Sequence, residues 1–360
     1  MKIRDRYIAK TLLTYSLVVL LVWLSIYSFF QFLAELNSVG KENYTILEAF
    51  KYIILQAPKV AYDQASSVIL LGCILGMGHL ATTGQLLIFR TSGISIFKIT
   101  WLTVKNALIF IIFIIPIGEL LAPILSNYAE NERSIALGQS TLSSNQDGFW
   151  IREGDTFINV ENNIDGSLLS GITVIEVNKS NKVERVIHSE SAVFDGKSLN
   201  LNEVDIFSIN ASNTFEDISL KEEKYYNKTV SFDQDLIDSL QKEPKDLTTW
   251  TIIKKIQFLS DNKLRSEVFE VELYKRLIKP VTLVAMISLA MLFIFGSTRD
   301  ITLGRKIFFG VAVGLSFEML QKIASAMSLS FDFSPLMSAI LPSTLVMLIS
   351  ITLLIQKSMS

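Results

Sequence analysis

Hydrophobic positions in this chain are concentrated in long runs toward both ends, and a polar middle third separates them. A predominantly apolar run of about 20 residues is long enough to cross the hydrocarbon core of a bilayer as a helix. Such runs lie at residues 11–34, 52–80, 97–121, 270–295, 306–327 and 335–355. The pattern predicts an α-helical polytopic membrane protein with six transmembrane helices, three before and three after an inserted domain.

The polar middle, residues 138–247, instead alternates apolar and polar side chains with a period of two. Residues 173–177 and 191–194 show this alternation, and turn signals follow them at residues 178–182 and at Asp195-Gly196. Alternation interrupted by short turns is typical of strands rather than helices. We therefore predict an all-β sandwich or roll whose exposed edge strands suit pairing with another β protein.

These two patterns together predict the organisation of the chain. Residues 1–137 form an N-terminal transmembrane half, residues 138–247 the β domain, and residues 248–360 a C-terminal transmembrane half. The last of these begins with an amphipathic segment at residues 250–266.

A short polar stretch, residues 80–95, connects the second and third apolar runs. Gly84 and Gly93 bracket a block in which Leu86, Phe89 and Arg90 recur at helical spacing. A helix of about two turns is not stable alone in water, so it must pack against neighbouring helices or against a partner. Two interpretations are open from these residues: an ordinary loop helix, or a lever through which a soluble partner moves the membrane part.

Composition excludes one class of function. Half of the residues are hydrophobic and the net charge is -2, so the chain lacks the basic surface that a nucleic-acid binder needs.

The distribution of basic residues predicts how the chain is oriented in the membrane. Basic residues in short loops favour the cytoplasm. With the N-terminus inside, the cytoplasmic segments hold Lys2, Arg4, Arg6, Lys10, Arg90, Lys98, Arg299, Arg305, Lys306 and Lys357. The short outer connectors hold Lys41 and Lys51, which predicts cytoplasmic termini, a cytoplasmic segment 80–95 and a β domain on the outer side.

Two charged residues interrupt the second apolar run. Lys59 and Asp63 are four positions apart and can pair on one face of a helix. A structural ion pair is one reading. The other is that both face a polar cavity, since ionisable residues within a span usually mark a pathway or a site.

Residues for catalysis, metal binding or cofactor binding do not assemble in the sequence. Cys73 is the single cysteine, and the two histidines, His79 and His188, lie far apart in different surroundings. The triplet Gly196-Lys197-Ser198 follows a hairpin turn and lacks the earlier glycine of a phosphate loop, because position 191 is serine. We predict a non-catalytic chain with neither a metal nor a cofactor.

Several segments, taken in order, carry a family resemblance. They are Asp5-Arg6-Tyr7-Ile8, Pro58-Lys59, residues 86–95 ending RTSGIS, Gly118-Glu119 with Ala122-Pro123, residues 142–150 (LSSNQDGFW), Gly304-Arg305-Lys306-Ile307 and Leu341-Pro342. In order, spacing and layout they resemble the LptF/LptG permeases of bacterial lipopolysaccharide export. The N-terminal DRYI and the LSSNQDGFW segment resemble the LptG branch of that family.

The resemblance implies a permease subunit of an ABC transporter in the bacterial inner membrane. It would pair with an LptF-like permease and dock on an LptB-like ATPase dimer through residues 80–95, so that ATP is hydrolysed by the partner. The docking residues implied are Gln85, Leu86, Phe89, Arg90, Ser92 and Gly93. The two permeases would extract lipopolysaccharide and pass it through the periplasmic β-jellyroll to an LptC-like protein and then to LptA.

Two departures from the family pattern bear on these expectations. The family usually has Ser-Glu-Leu where this chain has Gly84-Gln85-Leu86, so a charge-assisted contact to the ATPase becomes a neutral hydrogen bond. Some relatives also carry basic residues near the outer end of the first span, where Lys41 is the nearest cation here. The candidate lipid-binding residues are Lys59, Asp63, Lys41 and Arg133. Arg133 is alternatively a solvated charge beside Glu130 and Glu132.

Two classes of function compete on this reading. One is an export permease that moves a large amphiphile, and the other is a non-transporting scaffold whose spans only anchor the β domain. Lys59 and Asp63 favour transport, because an anchor has no use for buried charge. An intramembrane enzyme would need a nucleophile and a base within the bilayer, and the sequence offers no such pair.

Overall fold

A computed structural model describes residues 3–138, 149–163, 167–178, 182–212, 215–230, 232, 236–237, 242–296, 303–331 and 333–359. The described chain divides into two compact units. A membrane unit comprises residues 1–39, 46–129 and 270–360, and a β unit comprises residues 40–45 and 130–269. Most of the LSSNQDGFW segment (residues 142–148), residues 179–181 of a predicted turn, Lys2 and Arg299 lie outside the described residues.

Long helices account for the membrane unit. In chain order, the helices are α1 (Ile3–Glu35), α2 (Ile46–Asp63), α3 (Ala65–Thr82), α4 (Gln85–Thr91), α5 (Ile96–Pro116), a π-helical segment (Ile117–Leu121), α6 (Ala122–Ala136), α7 (Thr249–Asp261), α8 (Glu267–Gly296), α9 (Leu303–Ser330) and α10 (Pro335–Met359). Of these, α7 belongs to the β unit, and α6 and α8 contribute to both units.

Six helical segments among the described residues are long and apolar enough to cross a membrane. They are Asp5–Glu35, Ala65–Thr82, Ile96–Ala136, Glu267–Phe295, Ile307–Ser330 and Pro335–Lys357. The predicted layout of three spans on each side of a β insert is therefore confirmed. The second span differs in detail: it is not one helix over residues 52–80, because the polar residues before Ala65 form the separate helix α2.

Helix α3 lies at the centre of the membrane unit. Between residues 65 and 80 every position is buried except Leu75 and His79. Small residues allow its neighbours to approach closely: a Cβ atom on Gly72 would overlap the side chain of Ser16 on α1, and one on Gly310 of α9 would overlap Leu71 and Ile74. Close approach through small residues is a common way for helices to pack in membranes, because apolar side chains gain little by leaving lipid.

The β unit contains one antiparallel sheet whose six strands are ordered as they occur in the chain. The strands are β1 (Phe149–Glu153), β2 (Thr156–Asn163), β3 (Leu168–Val177), β4 (Val183–Phe194), β5 (Ser198–Ser212) and β6 (Phe215–Thr229). The predicted hairpin after residues 191–194 is confirmed, with Gly196 in the turn at a φ of +90°. The Asp195 carboxylate accepts hydrogen bonds from the main-chain N–H groups of Lys197 and Ser198, and these bonds lower the pKa of Asp195.

One face of this sheet forms an apolar core. Alternate strand residues such as Ile158, Ile172 and Leu199 are fully buried, as period-two alternation predicts. The chain after β6 covers this face, and the ring of Phe232 stacks on that of Phe194 with 5.7 Å between their centroids. The apolar face of the sheet is therefore covered by side chains of the same unit.

Candidate functional site

The junction between α2 and α3 is the most polar part of the membrane unit. Helix α2 ends at Asp63 and α3 begins at Ala65, with Gln64 between them at φ -84° and ψ 1°. The Lys279 ammonium of α8 donates a hydrogen bond to the main-chain oxygen of Asp63 over 3.2 Å. A cation at the C-terminal end of a helix is favourable, because the last carbonyl groups carry partial negative charge. Lys279 therefore stabilises the end of α2.

A second cation from α8 joins a hydrogen-bonded chain beside this junction. The Arg276 guanidinium lies 3.1 Å from Oε1 of Glu272 and 3.5 Å from Oε2 of Glu119. The hydroxyl of Tyr62 donates to Oε1 of Glu119 over 2.9 Å. The Arg276 side chain is only 7% exposed, whereas those of Glu119 and Glu272 are half-buried at 19% and 23%. We refer to Tyr62, Glu119, Glu272 and Arg276 as the polar cluster.

The local backbone explains how Glu119 reaches this position. Pro116 ends the regular α-helical hydrogen bonding of α5, and the π-helical segment Ile117–Leu121 follows. A π-helical turn inside an α-helix often marks a functional site. Gly118 in this segment has no side chain, and a Cβ atom there would overlap the ring of Tyr62.

On the other side of the junction, α9 contributes a carboxylate. The Ser67 hydroxyl, in the first turn of α3, donates to Oε1 of Glu318 over 2.7 Å. The Lys279 ammonium also lies 4.8 Å from the centre of the Tyr62 ring, a favourable cation–π distance. Five parts of the membrane unit therefore meet at the α2–α3 junction: these two helices, the π-helical segment, α8 and α9.

The two predicted residues in the second run, Lys59 and Asp63, both lie in α2 of the membrane unit. Asp63 interacts electrostatically with Lys279 as well as with Lys59, so it is part of a larger charge arrangement than the expected pair. Sequence reasoning identified Asp63 but did not assign Tyr62, Glu119, Glu272, Arg276 or Lys279 to the same site. The available signal was the spacing of Glu272, Arg276 and Lys279, which are four and three residues apart and share one face of a helix.

The short helix predicted between Gly84 and Gly93 is confirmed as α4. Both glycines adopt a left-handed conformation, with φ values of +75° and +79°, which residues with a side chain rarely adopt. Leu86 is buried in the core of the membrane unit, and Phe89 packs against that core at its edge. These two residues fix α4 to its own bundle.

The opposite side of α4 is open. Leu87 and Ile88 are 54% and 62% exposed, and Arg90, Ser92 and Gly93 are also exposed. Gln85 is half-buried at the start of the helix. The Ser92 hydroxyl donates to the main-chain oxygen of Ile88 and extends the end of the helix. Two large apolar side chains thus project from a short, glycine-bounded helix that its own bundle holds in place.

The remaining predicted residues, Lys41 and Arg133, both belong to the β unit. They lie on adjoining segments, because the main-chain N–H of Asn43 donates to the oxygen of Ala136 over 3.0 Å. Lys41 is exposed, and the Arg133 guanidinium lies 5.9 Å from the centre of the buried Tyr44 ring. The four candidate lipid-binding residues are therefore divided between the two units, with Lys41 and Arg133 in one and Lys59 and Asp63 in the other.

Within the described residues, no group of three or more His, Cys, Asp or Glu side chains is placed to hold a metal ion. The clustered groups near Asp63 are carboxylates already bonded to Arg276 or to hydroxyl groups. Their arrangement suits holding helices together and presenting charge, rather than bond-breaking chemistry.

Comparisons with known proteins identify one family and relatives that carry the same description. The chain matches the sequence profile described as lipopolysaccharide export system permease LptF/LptG over residues 6–356. It is 26% identical over 362 residues to the lipopolysaccharide export system permease protein LptG of Escherichia coli strain K12, covering 98% of each chain. It is 27% identical over 343 residues to the protein of the same name from Haemophilus influenzae, covering 95% of each chain. The resemblance found in the motifs is therefore confirmed.

Proposed function

Because the chain belongs to the LptF/LptG family of lipopolysaccharide export permeases, we propose that it extracts lipopolysaccharide from the inner membrane as one subunit of an ABC transporter. The match over residues 6–356 carries this proposal, since it includes both membrane halves and the β domain. The chain is a multi-pass inner-membrane protein with six candidate spans. Its termini face the cytoplasm and its β domain faces the periplasm in our proposal, as the distribution of basic residues favours.

Energy for transport comes from a partner in this proposal. The chain pairs with an LptF-like permease, and an LptB-like ATPase dimer hydrolyses ATP. Helix α4 is the docking element, with Gln85, Leu86, Phe89, Arg90, Ser92 and Gly93 at or next to the contact. The exposure of Leu87 and Ile88 supports this role, because two large apolar side chains on a short helix are suited to a groove on a partner.

Lipid passage involves both units in this proposal. Lys59 and Asp63 contribute polar groups within the membrane, and Lys41 and Arg133 offer positive charge to lipid phosphates at the β unit. The β domain then passes the lipid to an LptC-like membrane-anchored protein and onward to LptA. The edge strands β1 and β6 support such a contact, because an edge strand has unpaired main-chain groups that can join a neighbouring sheet.

Co-purification tests the assembly. The chain, tagged at its C-terminus, is isolated from native membranes in mild detergent, and the fraction is analysed for an ATPase and a second permease. We expect both in stoichiometric amounts, with the ATPase lost in Ile88→Asp, whose side chain is 62% exposed, and retained in Ile54→Asp, at a comparably exposed site on α2. Recovery of neither partner with the unaltered chain would contradict the proposal and favour the membrane scaffold.

Leu86 needs separate treatment in that experiment. Its side chain is 3% exposed and lies in the core of the membrane unit, so Leu86→Asp places a charge in an apolar core. Loss of the ATPase in Leu86→Asp therefore reports on docking only if the protein remains folded. Ile88→Asp avoids this ambiguity, since it changes a side chain outside the core.

A further inference from the structure

Helix α8 brings two cations to the α2–α3 junction, and neither is available as a receptor for an anionic lipid group. Arg276 is bonded to Glu119 and Glu272, and Lys279 donates to the main-chain oxygen of Asp63. An incoming phosphate would have to displace these carboxylates from a guanidinium that is 7% exposed. The arrangement therefore holds helices together rather than receiving substrate.

These bonds hold together the helices on the α2 side of the junction. Tyr62 belongs to the last turn of α2, and its hydroxyl is bonded to Glu119 of the π-helical segment. Arg276 extends the same chain to α8. Helix α2, the π-helical segment and α8 are thus joined through one sequence of bonds, Tyr62 to Glu119 to Arg276.

Helix α3, on the other side of the junction, packs closely on α1 at Gly72 and on α9 at Gly310. It ends at Thr82, and α4 begins three residues later at Gln85. Its bond to Glu318 of α9 is made at Ser67, beyond the junction.

At the junction itself, the side-chain oxygen of Gln64 is buried and makes no hydrogen bond within the described chain. The main chain of Gln64 remains bonded on both sides, because its N–H donates to the oxygen of Val60 and its oxygen accepts from the N–H of Val68. The junction is therefore a one-residue interruption between two helices, and a residue at the end of a helix can absorb the rotation of a hinge.

We propose that the Asp63–Gln64 junction is a hinge, and that Arg276, Glu119 and Tyr62 are positioning residues that hold α2 against α8 while α3 and α4 move together with the helices packed closely on α3. This inference rests on the proposed function, in which a partner moves α4. A movement applied at α4 is transmitted along α3 to the junction. Because the polar cluster holds α2 against α8, the chain bends at Gln64 and α2 does not move with α3. Transport then depends on the cluster even though the cluster touches neither ATP nor lipid.

The test measures lipid transferred per ATP hydrolysed by the purified complex in lipid vesicles, using lipopolysaccharide as the probe. Glu119→Gln keeps the size of the side chain and removes its charge, and Tyr62→Phe removes one hydroxyl. We expect each to lower the transfer ratio by about fivefold or more while ATP hydrolysis and complex assembly persist. The exchange of charges, Glu119→Arg with Arg276→Glu, made together with Glu272→Gln so that no second carboxylate faces the new one, should restore most of the ratio, which a general loss of stability would not do.

The outcomes separate the two proposals. If the unaltered complex hydrolyses ATP but transfers no lipid, the proposed function fails. If it transfers lipid and Glu119→Gln does so with the same ratio, the positioning role is wrong and the proposed function stands. A ratio lowered in Glu119→Gln and not improved by the charge exchange also contradicts the proposed pairing.

Spin-label distances provide a second measurement that does not depend on these variants. Leu277 on α8 and Ile54 on α2 are 61% and 67% exposed, and Thr82 at the end of α3 is also exposed. Labels at Thr82 and Leu277 should change their separation between the nucleotide-free complex and the complex with a non-hydrolysable ATP analogue. Labels at Ile54 and Leu277 should keep theirs. Equal changes in both pairs, or no change in either, would overturn the hinge.

Discussion

The ring of Tyr62 lies directly against the main chain of Gly118, where a Cβ atom would overlap its Cδ2 and Cγ atoms. The same tyrosine donates its hydroxyl hydrogen to Glu119, the residue that follows this glycine. The absence of a side chain at position 118 therefore permits the hydrogen bond at position 119. The close contact joins α2 to the π-helical segment after α5.

Replacement of Gly118 by alanine should therefore damage this contact. The added methyl group must displace the Tyr62 ring, and overpacking of this kind costs about 1–3 kcal/mol. We expect a lower unfolding temperature for the full chain in detergent. The matched control is Gly78→Ala in α3, where a Cβ atom meets nothing within 4 Å outside its own helix. An unchanged unfolding temperature in Gly118→Ala would show that Tyr62 moves away at no cost.

The double replacement Lys59→Leu with Asp63→Leu distinguishes a transporter from a scaffold. Both residues lie in α2, and Asp63 interacts electrostatically with Lys279. A scaffold should keep its partners and its stability, since Asp63 is exposed, Lys59 is half-buried, and an anchor makes no use of either charge. A transporter should assemble normally and lose lipid transfer. Unimpaired lipid transfer by the double variant would remove Lys59 and Asp63 from the site.

Charge at the β unit gives a third prediction. If Lys41 and Arg133 contact lipid phosphates, each should contribute about 1 kcal/mol of attraction to an anionic surface. We expect Arg133→Ala and Lys41→Ala to slow lipid transfer, more so in combination, and Arg133→Lys to restore part of the rate. The comparison is Lys197→Ala, which removes an exposed cation from the hairpin turn between β4 and β5. Equal slowing by Lys197→Ala would mean that only the net charge matters.

Lys255 of α7 predicts a dependence of stability on pH. The residue is 3% exposed, and burial lowers its pKa from 10.5 to about 8. Between these values the unfolded chain binds more protons than the folded chain, so the free energy of unfolding rises with pH across this interval. A pKa shift of this size corresponds to roughly 3 kcal/mol.

Thermal unfolding of the full chain from pH 7.5 to 10.5 tests this prediction. The unaltered protein should gain stability as the pH rises through about 8, relative to Lys255→Met. Lys197→Met serves as the control, because Lys197 is exposed. Parallel pH profiles for the unaltered chain and Lys255→Met would show that Lys255 remains fully charged in the folded state.

The hydrophobic pattern alone determined most of the architecture. Long apolar runs specify membrane helices because a buried backbone must bond within its own segment, and period-two alternation specifies strands with one covered face. Both periods are local, so the six spans, the β insert and the helix between Gly84 and Gly93 could be predicted without knowing any contact. Family membership could also be predicted from the sequence, because it depends on the order and spacing of motifs.

Only the tertiary structure determined which polar groups meet. Tyr62, Glu119 and Arg276 are far apart in the chain, and no periodicity connects residues on three different segments. The division of the second span at Gln64 was also hidden, because the polar residues around Asp63 fit one amphipathic helix as well as a junction of two. On α4, spacing identified Leu86 and Phe89, but only packing separated the buried Leu86 from the exposed Ile88. A sequence records which side chains are polar or apolar, whereas their partners depend on how the helices pack together.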